Sequence, residues 1–174
     1  MSSLQKFHRR TQVTAIAPVL GTGSDTIGYY LGKAGDNTSY MYVAPSSTQS
    51  SELWGSYGIT RSTLSTTNGL GNTNTLVSFG TAAHPAAGYC KYLTTGGYNT
   101  WYLPARDELI TLYTNKAATP FATTNGFSGS YHWSSTEASA GNAANKAFSM
   151  NMSTGTTTNR FKSTTSWVRA VRRS

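Results

Sequence analysis

Apolar and polar residues alternate over short stretches of this chain, which predicts short β-strands joined by turns rich in Gly, Ser and Thr. Helices are predicted near residues 83–94 and 105–116, where apolar residues recur at helical spacing. The fold class is therefore α+β, with mainly short antiparallel strands and two helices packed on the sheet. The predicted strands lie near residues 28–31, 40–44, 101–103, 131–134, 147–152 and 166–171.

The second predicted helix follows Pro104. Proline at a first helical position loses no hydrogen bond, and Asp107 and Glu108 place negative charge near the positive end of the helix dipole. We interpret these two carboxylates as groups that stabilise the helix terminus, not as general acid/base catalysts. A buried partner for an arginine is the alternative role of Glu108.

Aromatic blocks with a buried arginine are expected to build the core. The last block, WVRAVRR at residues 167–173, alternates so that one face of a terminal strand carries an arginine, which needs an anion when it points inward. We expect Glu108 or Glu137 to pair with Arg169. The predicted structural core comprises Trp101, Pro104, Glu108, Trp133, Glu137 and Arg169.

The chain is predicted to contain an N-terminal arm, residues 1–24, and one domain, residues 25–174. The arm carries Lys6, Arg9 and Arg10 and ends in the hinge-like sequence GTGSD. We expect this arm to anchor the protein on a neighbouring copy or a larger assembly, by adding a strand to an exposed sheet edge. Within the domain, residues 60–75 and 153–165 have few apolar anchors and are predicted as long loops.

Composition and charge narrow the range of partners. The net charge is +8, although only 11% of the residues are charged, and the basic residues cluster at the two ends of the chain. Such basic clusters suggest nucleic acid as the first candidate partner. The sequence has no nucleic-acid motif, however, and the second cluster lies partly on a predicted strand. Contact with acidic neighbouring subunits is therefore favoured over nucleic acid.

Metal, disulfide and catalytic chemistry find little support in the sequence. The single cysteine, Cys90, excludes an intrachain disulfide and is predicted to pack as a small buried thiol in the first helix. His8, His84 and His132 do not have the spacing of a zinc motif. We predict no catalytic site, no metal and no cofactor. The first ten residues lack an apolar stretch, so no signal peptide is predicted. No segment is long enough to cross a membrane.

Three blocks carry a family resemblance: GGYNTWYLPARDEL at residues 96–109, YHWSSTE at residues 131–137, and the terminal WVRAVRR. Together they resemble the C-terminal domain of Lcl-type collagen-like adhesins and related domains of tailed-phage structural proteins. The earlier segments GYYLGK, YMYVAP and LWGSYG agree, so the resemblance covers about residues 25–173. It implies a C-type-lectin-like fold, although the calcium motifs of sugar-binding C-type lectins are absent.

The resemblance implies a phage virion structural protein, made in the host cytoplasm and displayed on the particle as a tail-fibre or receptor-binding component, or as a capsid decoration. Expected partners are other virion proteins, host surface glycan or protein, and further copies of the chain. A nucleic-acid-binding protein and a non-virion carbohydrate-binding module are the alternatives. By analogy with the ligand face of the fold, the candidate binding residues are Asn142, Asn145, Lys146, Asn159 and Arg160.

Overall fold

The structure is a computed structural model that describes residues 16–128, 130–139 and 141–174. Within them the chain forms nine strands and four α-helices. The strands are β1 (Gly23–Ser24), β2 (Gly28–Lys33), β3 (Tyr40–Val43), β4 (Ser50–Leu53), β5 (Tyr131–Glu137), β6 (Lys146–Asn151), β7 (Thr157–Phe161), β8 (Thr165–Val168) and β9 (Val171–Arg173). The helices are α1 (Gly69–Ser78), α2 (Pro85–Lys91), α3 (Arg106–Asn115) and α4 (Phe121–Thr124).

The strands form two sheets. One has the order β1-β2-β3-β9, and the other has the order β4-β8-β5-β6-β7. All neighbouring pairs are antiparallel except β5 and β8, which are parallel. The predicted α+β class with short, mainly antiparallel strands is confirmed.

The C-terminal block passes from one sheet to the other. We predicted a single strand near residues 166–171, but β8 lies in the five-stranded sheet and β9 in the four-stranded sheet. Between them, the carbonyl of Ala170 accepts a hydrogen bond from the amide of Ala44 at 2.9 Å. The chain changes sheets at Arg169 and Ala170, because these two residues pair with the end of β3 instead of extending β8.

Arg169 lies buried at this crossing, and its predicted partner was wrong. Its guanidinium donates to the carbonyl oxygens of Ala44 at 2.5 Å and Asn125 at 2.9 Å, and to the side-chain oxygen of Gln49 at 3.4 Å. Neither Glu108 nor Glu137 forms a salt bridge with it. Neutral oxygens replace the expected carboxylate because three chain segments direct acceptors at the same buried position.

The hydrophobic core has two parts. In the first, the four-stranded sheet packs against α3 and α4. The second is centred on three fully buried tryptophans and includes the buried thiol of Cys90 in α2, as predicted. The first cluster includes Tyr29, Leu31, Met41, Val43, Leu112 and Phe121, and the second includes Trp54, Leu76, Cys90, Trp101, Trp133 and Val168.

Helix α1 begins inside the segment predicted as the loop 60–75. Its N-cap is Asn68, whose side-chain oxygen accepts from the amide of Gly71 at 3.0 Å. At Gly69 the helix lies so close to α3 that an added Cβ would be 2.3 Å from Oε2 of Glu108. Apart from Leu76, its buried residues are glycine or small and polar, which is why its apolar pattern is weak in the sequence.

The segment 153–165, also predicted as a loop, contains β7. This strand forms a hairpin with β6 and lies at the edge of its sheet, where its residues are half-buried or exposed. An edge strand of this kind needs few apolar side chains. Conversely, residues 101–103 do not form a strand: Tyr102 makes an isolated bridge to Val171, and the amide of Leu103 bonds to the Thr73 hydroxyl.

Glu108 combines the two roles considered for it. Oε2 accepts from the amide of Ala105 at 2.9 Å and caps α3, while Oε1 accepts from the Tyr102 hydroxyl at 2.9 Å. Oε1 also lies 3.2 Å from Nη2 of Arg173. Glu108 is thus a buried partner of an arginine, but that arginine is Arg173 in β9.

A second buried ion pair anchors the long segment after β4. Nζ of Lys162 lies 2.5 Å from Oε1 of Glu137, and both side chains are fully buried. Glu137 also accepts from the amides of Arg61 and Thr63, and Lys162 also donates to the carbonyl of Ile59. Burial lowers the pKa of Lys162, while the hydrogen bond and charge of Glu137 act to raise it.

Both histidines within the described residues are buried and neutral. Burial lowers the pKa of His132 to about 4, and nearby Arg169 acts in the same direction. Burial also lowers the pKa of His84 to about 4, with further lowering by Arg61 and Lys162. Nε2 of His84 accepts a hydrogen bond from Nε of Arg61 at 3.0 Å, which requires the unprotonated nitrogen.

The start of the described chain lies against the domain. The amide of Gly21 donates to the carbonyl of Tyr30 at 2.8 Å, and the amide of Tyr30 donates to the carbonyl of Thr22 at 2.9 Å. The three basic residues assigned to the arm, Lys6, Arg9 and Arg10, lie outside the described residues. In the part of the chain that is described, no helix has the length and apolar character needed to cross a membrane.

The buried Lys162–Glu137 pair predicts a large effect of one isosteric change. Glu137→Gln leaves Lys162 buried without a counter-charge, so the free energy of unfolding should fall by about 3–5 kcal/mol in urea denaturation at neutral pH. Asp107→Asn is the matched control, because Asp107 pairs with Arg106 at a partly exposed position. Such pairs contribute about 1 kcal/mol or less. Equal losses in the two variants would contradict this role of the pair.

The buried histidines predict acid destabilisation. In the unfolded chain they take up protons near the ordinary pKa of 6.5, whereas in the folded chain they do so near 4. Their contribution to stability is complete above pH 6.5 and is lost as the pH falls towards 4. His132→Gln should reduce the slope of unfolding free energy against pH in this interval by up to about 1.4 kcal/mol per pH unit. Urea denaturation of wild type and variant at several pH values measures this slope. An unchanged slope in the variant would refute the buried neutral state of His132.

Candidate functional site

A surface cleft beside β6 and β7 brings together part of the predicted ligand-binding set. It encloses about 300 Å³ and contains Lys146, Asn159 and Arg160 among its lining residues. Four further residues complete the lining: Tyr131, Thr158, Phe161 and Thr164. The volume is at the lower end of the range for small-molecule sites, which suits one sugar unit or another small polar group.

The β6–β7 hairpin places these residues. Its register pairs Lys146 with Phe161 and Ala147 with Arg160, so residues distant in sequence become neighbours across two strands. Tyr131 begins β5 on the other side of β6. The cleft is therefore formed by sheet residues, whose positions are fixed by main-chain hydrogen bonds.

Arg160 is held in place by an aromatic ring and a hydroxyl. Its guanidinium carbon lies 4.6 Å from the centroid of the Tyr131 ring, within the range of a cation–π contact. Nε donates to the hydroxyl of Ser166 at 3.1 Å. These contacts orient the guanidinium and occupy Nε alone, so the four N–H groups on its two terminal nitrogens can reach a ligand.

Lys146 and Phe161 form a second cation–aromatic pair in the cleft. Nζ of Lys146 lies 4.8 Å from the centroid of the Phe161 ring. The Phe161 ring in turn packs against Tyr57, with ring centroids 6.1 Å apart. Phe161 and Tyr57 remain 46% and 55% exposed, so this side of the cleft presents apolar ring surface to solvent.

The cleft has a positive character because no carboxylate lines it. Glu137, the acidic residue of β5, is paired with the buried Lys162. Asp36 and Glu108 are both bound by Arg173, and Asp107 by Arg106. Two cations beside the Tyr131 and Phe161 rings, without a carboxylate in the described lining, are suited to an anionic or hydroxyl-rich ligand.

Asn159 adds an unpartnered polar atom to this surface. Its side-chain oxygen, Oδ1, is buried and has no hydrogen-bond partner within the described residues. A buried acceptor without a donor is unfavourable by about 1–3 kcal/mol. A donor brought to this position by another molecule would therefore be stabilising.

The other two predicted ligand residues lie beside the cleft and do not line it. Asn142 and Asn145 build the turn between β5 and β6, where the carbonyl of Asn142 accepts from the amides of Asn145 and Lys146. The carbonyl of Asn145 accepts from the amide of Lys162 at 2.9 Å. Their described contacts are main-chain bonds that shape the turn and hold the start of β6.

The predicted core residues lie away from this cleft, inside the domain. All six are buried, and their charged members have the partners described above. The indole nitrogen of Trp133 donates to the carbonyl of Glu52 at 3.0 Å, and that of Trp101 to the carbonyl of Thr95 at 3.2 Å. The carbonyl of Pro104 accepts from the amide of Ser135 at 2.8 Å. These residues support the cleft indirectly, by fixing β5.

Sequence reasoning missed the aromatic part of the cleft. Tyr131 and Phe161 are 30 positions apart and belong to strands that are not neighbours. Phe161 lies in the segment predicted as a loop, so its pairing with Lys146 was not foreseen. Residues 157–161 read TTNRF, with one large apolar residue at the end, so no apolar/polar alternation marked this edge strand in the sequence.

A second concavity of about 390 Å³ lies beside the C-terminal strand, and its cations are already occupied. The Arg172 guanidinium stacks on Tyr98 and Tyr42, with its carbon 3.8 Å and 4.4 Å from the ring centroids. Nη2 of Arg172 donates to the carbonyl of Ile27. Arg173 binds two carboxylates. We therefore assign these arginines a structural role and take the β6–β7 cleft as the candidate site.

Nothing in the described part of the chain forms a group of three or more His, Cys, Asp and Glu residues that could hold a metal. Burial raises the pKa of the Cys90 thiol well above its usual range, so the thiolate is strongly disfavoured. His84 and His132 are buried among structural partners. The chemistry that remains available at the cleft is recognition by charge, hydrogen bonds and ring stacking.

Comparison with protein families gives one result that covers most of the chain. Residues 37–172 match the family model described as the Lcl C-terminal domain. Among curated proteins, none matches this chain in sequence. The family match agrees with the resemblance carried by the three sequence blocks and relates the domain to collagen-like adhesins. The chain belongs to the Lcl C-terminal domain family.

Proposed function

We propose that this chain is a structural protein of a phage virion that contacts the host surface. In this proposal its domain has a C-type-lectin-like fold, is displayed outward, and acts by binding and not by catalysis. The observation that carries the proposal is the β6–β7 cleft, where Arg160 and Lys146 stack on aromatic rings without a carboxylate partner. Family membership supports an attachment role, because the family is related to adhesins.

The proposed ligand is an anionic polysaccharide of the host surface. Sugar rings present apolar faces that stack on exposed aromatic side chains, and their acidic groups accept charge-assisted hydrogen bonds from arginine and lysine. Phe161 and Tyr57 offer such faces beside Lys146. Because the cleft holds only about one sugar unit, strong attachment needs several chains on one particle.

The position of the basic residues favours this proposal over nucleic-acid binding. The C-terminal basic cluster suggested nucleic acid, yet Lys162, Arg169 and Arg172 are buried and Arg173 binds two carboxylates. Of this cluster, Arg160 is the residue that lines the cleft. A nucleic acid requires a row of accessible cations along its backbone, and the folded cluster does not supply one.

Binding to polysaccharides tests the proposed contact. The Lys146→Gln, Arg160→Gln double variant should bind acidic polysaccharides at least about tenfold more weakly, since each charge-assisted hydrogen bond contributes about 1.5–3 kcal/mol. Calorimetry or a glycan array measures this loss, and wild-type binding should weaken as salt is added. Neutral polysaccharides should bind far less.

The control for that experiment removes the same net charge elsewhere. Lys91→Gln and Arg106→Gln change residues that lie outside the cleft, so binding should stay within about twofold of wild type. Equal losses in the two double variants would mean that binding depends on net charge alone and would reject the cleft as the binding site.

Mass spectrometry of purified particles tests the virion assignment separately. Absence of the chain from particles would reject this assignment. Presence of the chain on capsids without any polysaccharide binding would favour particle stabilisation.

A further inference from the structure

The outer edge of the five-stranded sheet is formed by β7, a five-residue strand. Its inner side is paired with β6 along its whole length. At the two ends of this ladder, the amide of Asn151 donates to the carbonyl of Thr156, and the amide of Lys162 donates to the carbonyl of Asn145. Main-chain bonding alternates along an antiparallel ladder, so Thr158 and Arg160 also bond to β6.

The same alternation directs the main-chain groups of Thr157, Asn159 and Phe161 away from β6, towards the open edge. The carbonyl of Phe161 accepts hydrogen bonds from Thr164. The amide of Phe161 points outward, like the amides of Thr157 and Asn159. An edge of this kind is a template for another strand. Proteins that avoid such pairing use proline or an inward-pointing charge, and β7 contains no proline.

The sequence of β7 is compatible with pairing to itself. In an antiparallel arrangement about a two-fold axis at Asn159, Arg160 lies opposite Thr158 of the second copy, and Phe161 lies opposite Thr157. The single charged residue of the strand therefore never faces its own copy. Asn159 meets Asn159 of the second copy. The side-chain amide of one supplies a donor for the buried Oδ1 of the other, which has no partner within the described part of its own chain.

Exposed apolar surface borders the same edge. Phe161 is 46% exposed at the end of β7, and Tyr57, which packs against its ring, is 55% exposed. Ile59 is 42% exposed on the same segment as Tyr57. An added strand beside β7 would cover the free main-chain groups that border this apolar surface.

We propose that β7 pairs with β7 of a second copy of this chain, joining two five-stranded sheets into one continuous ten-stranded sheet. The observation behind it is that, among the described residues, the edge at Thr157, Asn159 and Phe161 is open and Oδ1 of Asn159 has no hydrogen-bond partner. A two-fold axis perpendicular to the sheet keeps the corresponding faces of both copies on one side. The two β6–β7 clefts then face the same direction and can bind one polymer together. Only this consequence rests on the proposed function; the strand pairing does not.

Sedimentation of the chain without any ligand tests the pairing. Wild type should form a reversible dimer that strengthens with added salt, because each copy carries a net charge of +8 and salt screens the repulsion. Polysaccharide binding should respond to salt in the opposite direction, so failure of one proposal is distinguishable from failure of the other. Asn159→Pro removes an outward amide without removing a bond to β6 and should yield a monomer.

Cross-linking keeps the test decisive if the proline variant does not fold. Two strands paired at Asn159 bring the Cα atoms to about 5.5 Å, within disulfide range. Asn159→Cys should therefore form a disulfide-linked dimer on mild oxidation. Thr154→Cys, in the exposed turn between β6 and β7, is the control and should remain monomeric, while native Cys90 is buried in both. A monomeric wild type at all concentrations, or equal cross-linking of the two variants, would overturn the proposal.

Discussion

The buried guanidinium of Arg169 fixes the point where the chain passes between the two sheets. It donates to oxygens of Ala44, Gln49 and Asn125, which belong to the end of β3, the segment before β4, and the end of α4. Burial lowers its pKa only to about 10, so the group stays charged at neutral pH. Three segments must therefore direct oxygens at one position, and this requirement fixes how the sheets and α4 meet.

The same need for buried partners accounts for most of the C-terminal basic cluster, which comprises Arg160, Lys162, Arg169, Arg172 and Arg173. Lys162 and Arg173 bind carboxylates, and Arg172 stacks between tyrosine rings. Removing these cations from the surface leaves Lys146 and Arg160 as the cations of the β6–β7 cleft. The positive character of the cleft is thus local, because within the described residues no carboxylate pairs with Lys146 or Arg160.

The hairpin of β6 and β7 links the proposed binding surface with the proposed contact between copies. Its two strands place Lys146 and Arg160 in the cleft, while the outer side of β7 exposes main-chain groups at Thr157 and Asn159. An edge strand can serve both purposes, since its side chains and its main-chain groups point in different directions. Ligand contact uses the side chains of Lys146 and Arg160, and strand pairing uses the main chain of β7 together with the Asn159 side chain.

The sequence by itself determined the family, the α+β class and the helix after Pro104, because turn residues, helix-terminus charges and aromatic blocks act locally. The resemblance of the sequence also indicated Lys146, Asn159 and Arg160 as candidate ligand-binding residues. Only the tertiary structure decided which carboxylate meets which cation: Arg169 takes carbonyl oxygens, and Glu108 takes Arg173. Such pairings, like the aromatic rings in the cleft, depend on strand order and register, which bring distant residues together and leave no local pattern in the sequence.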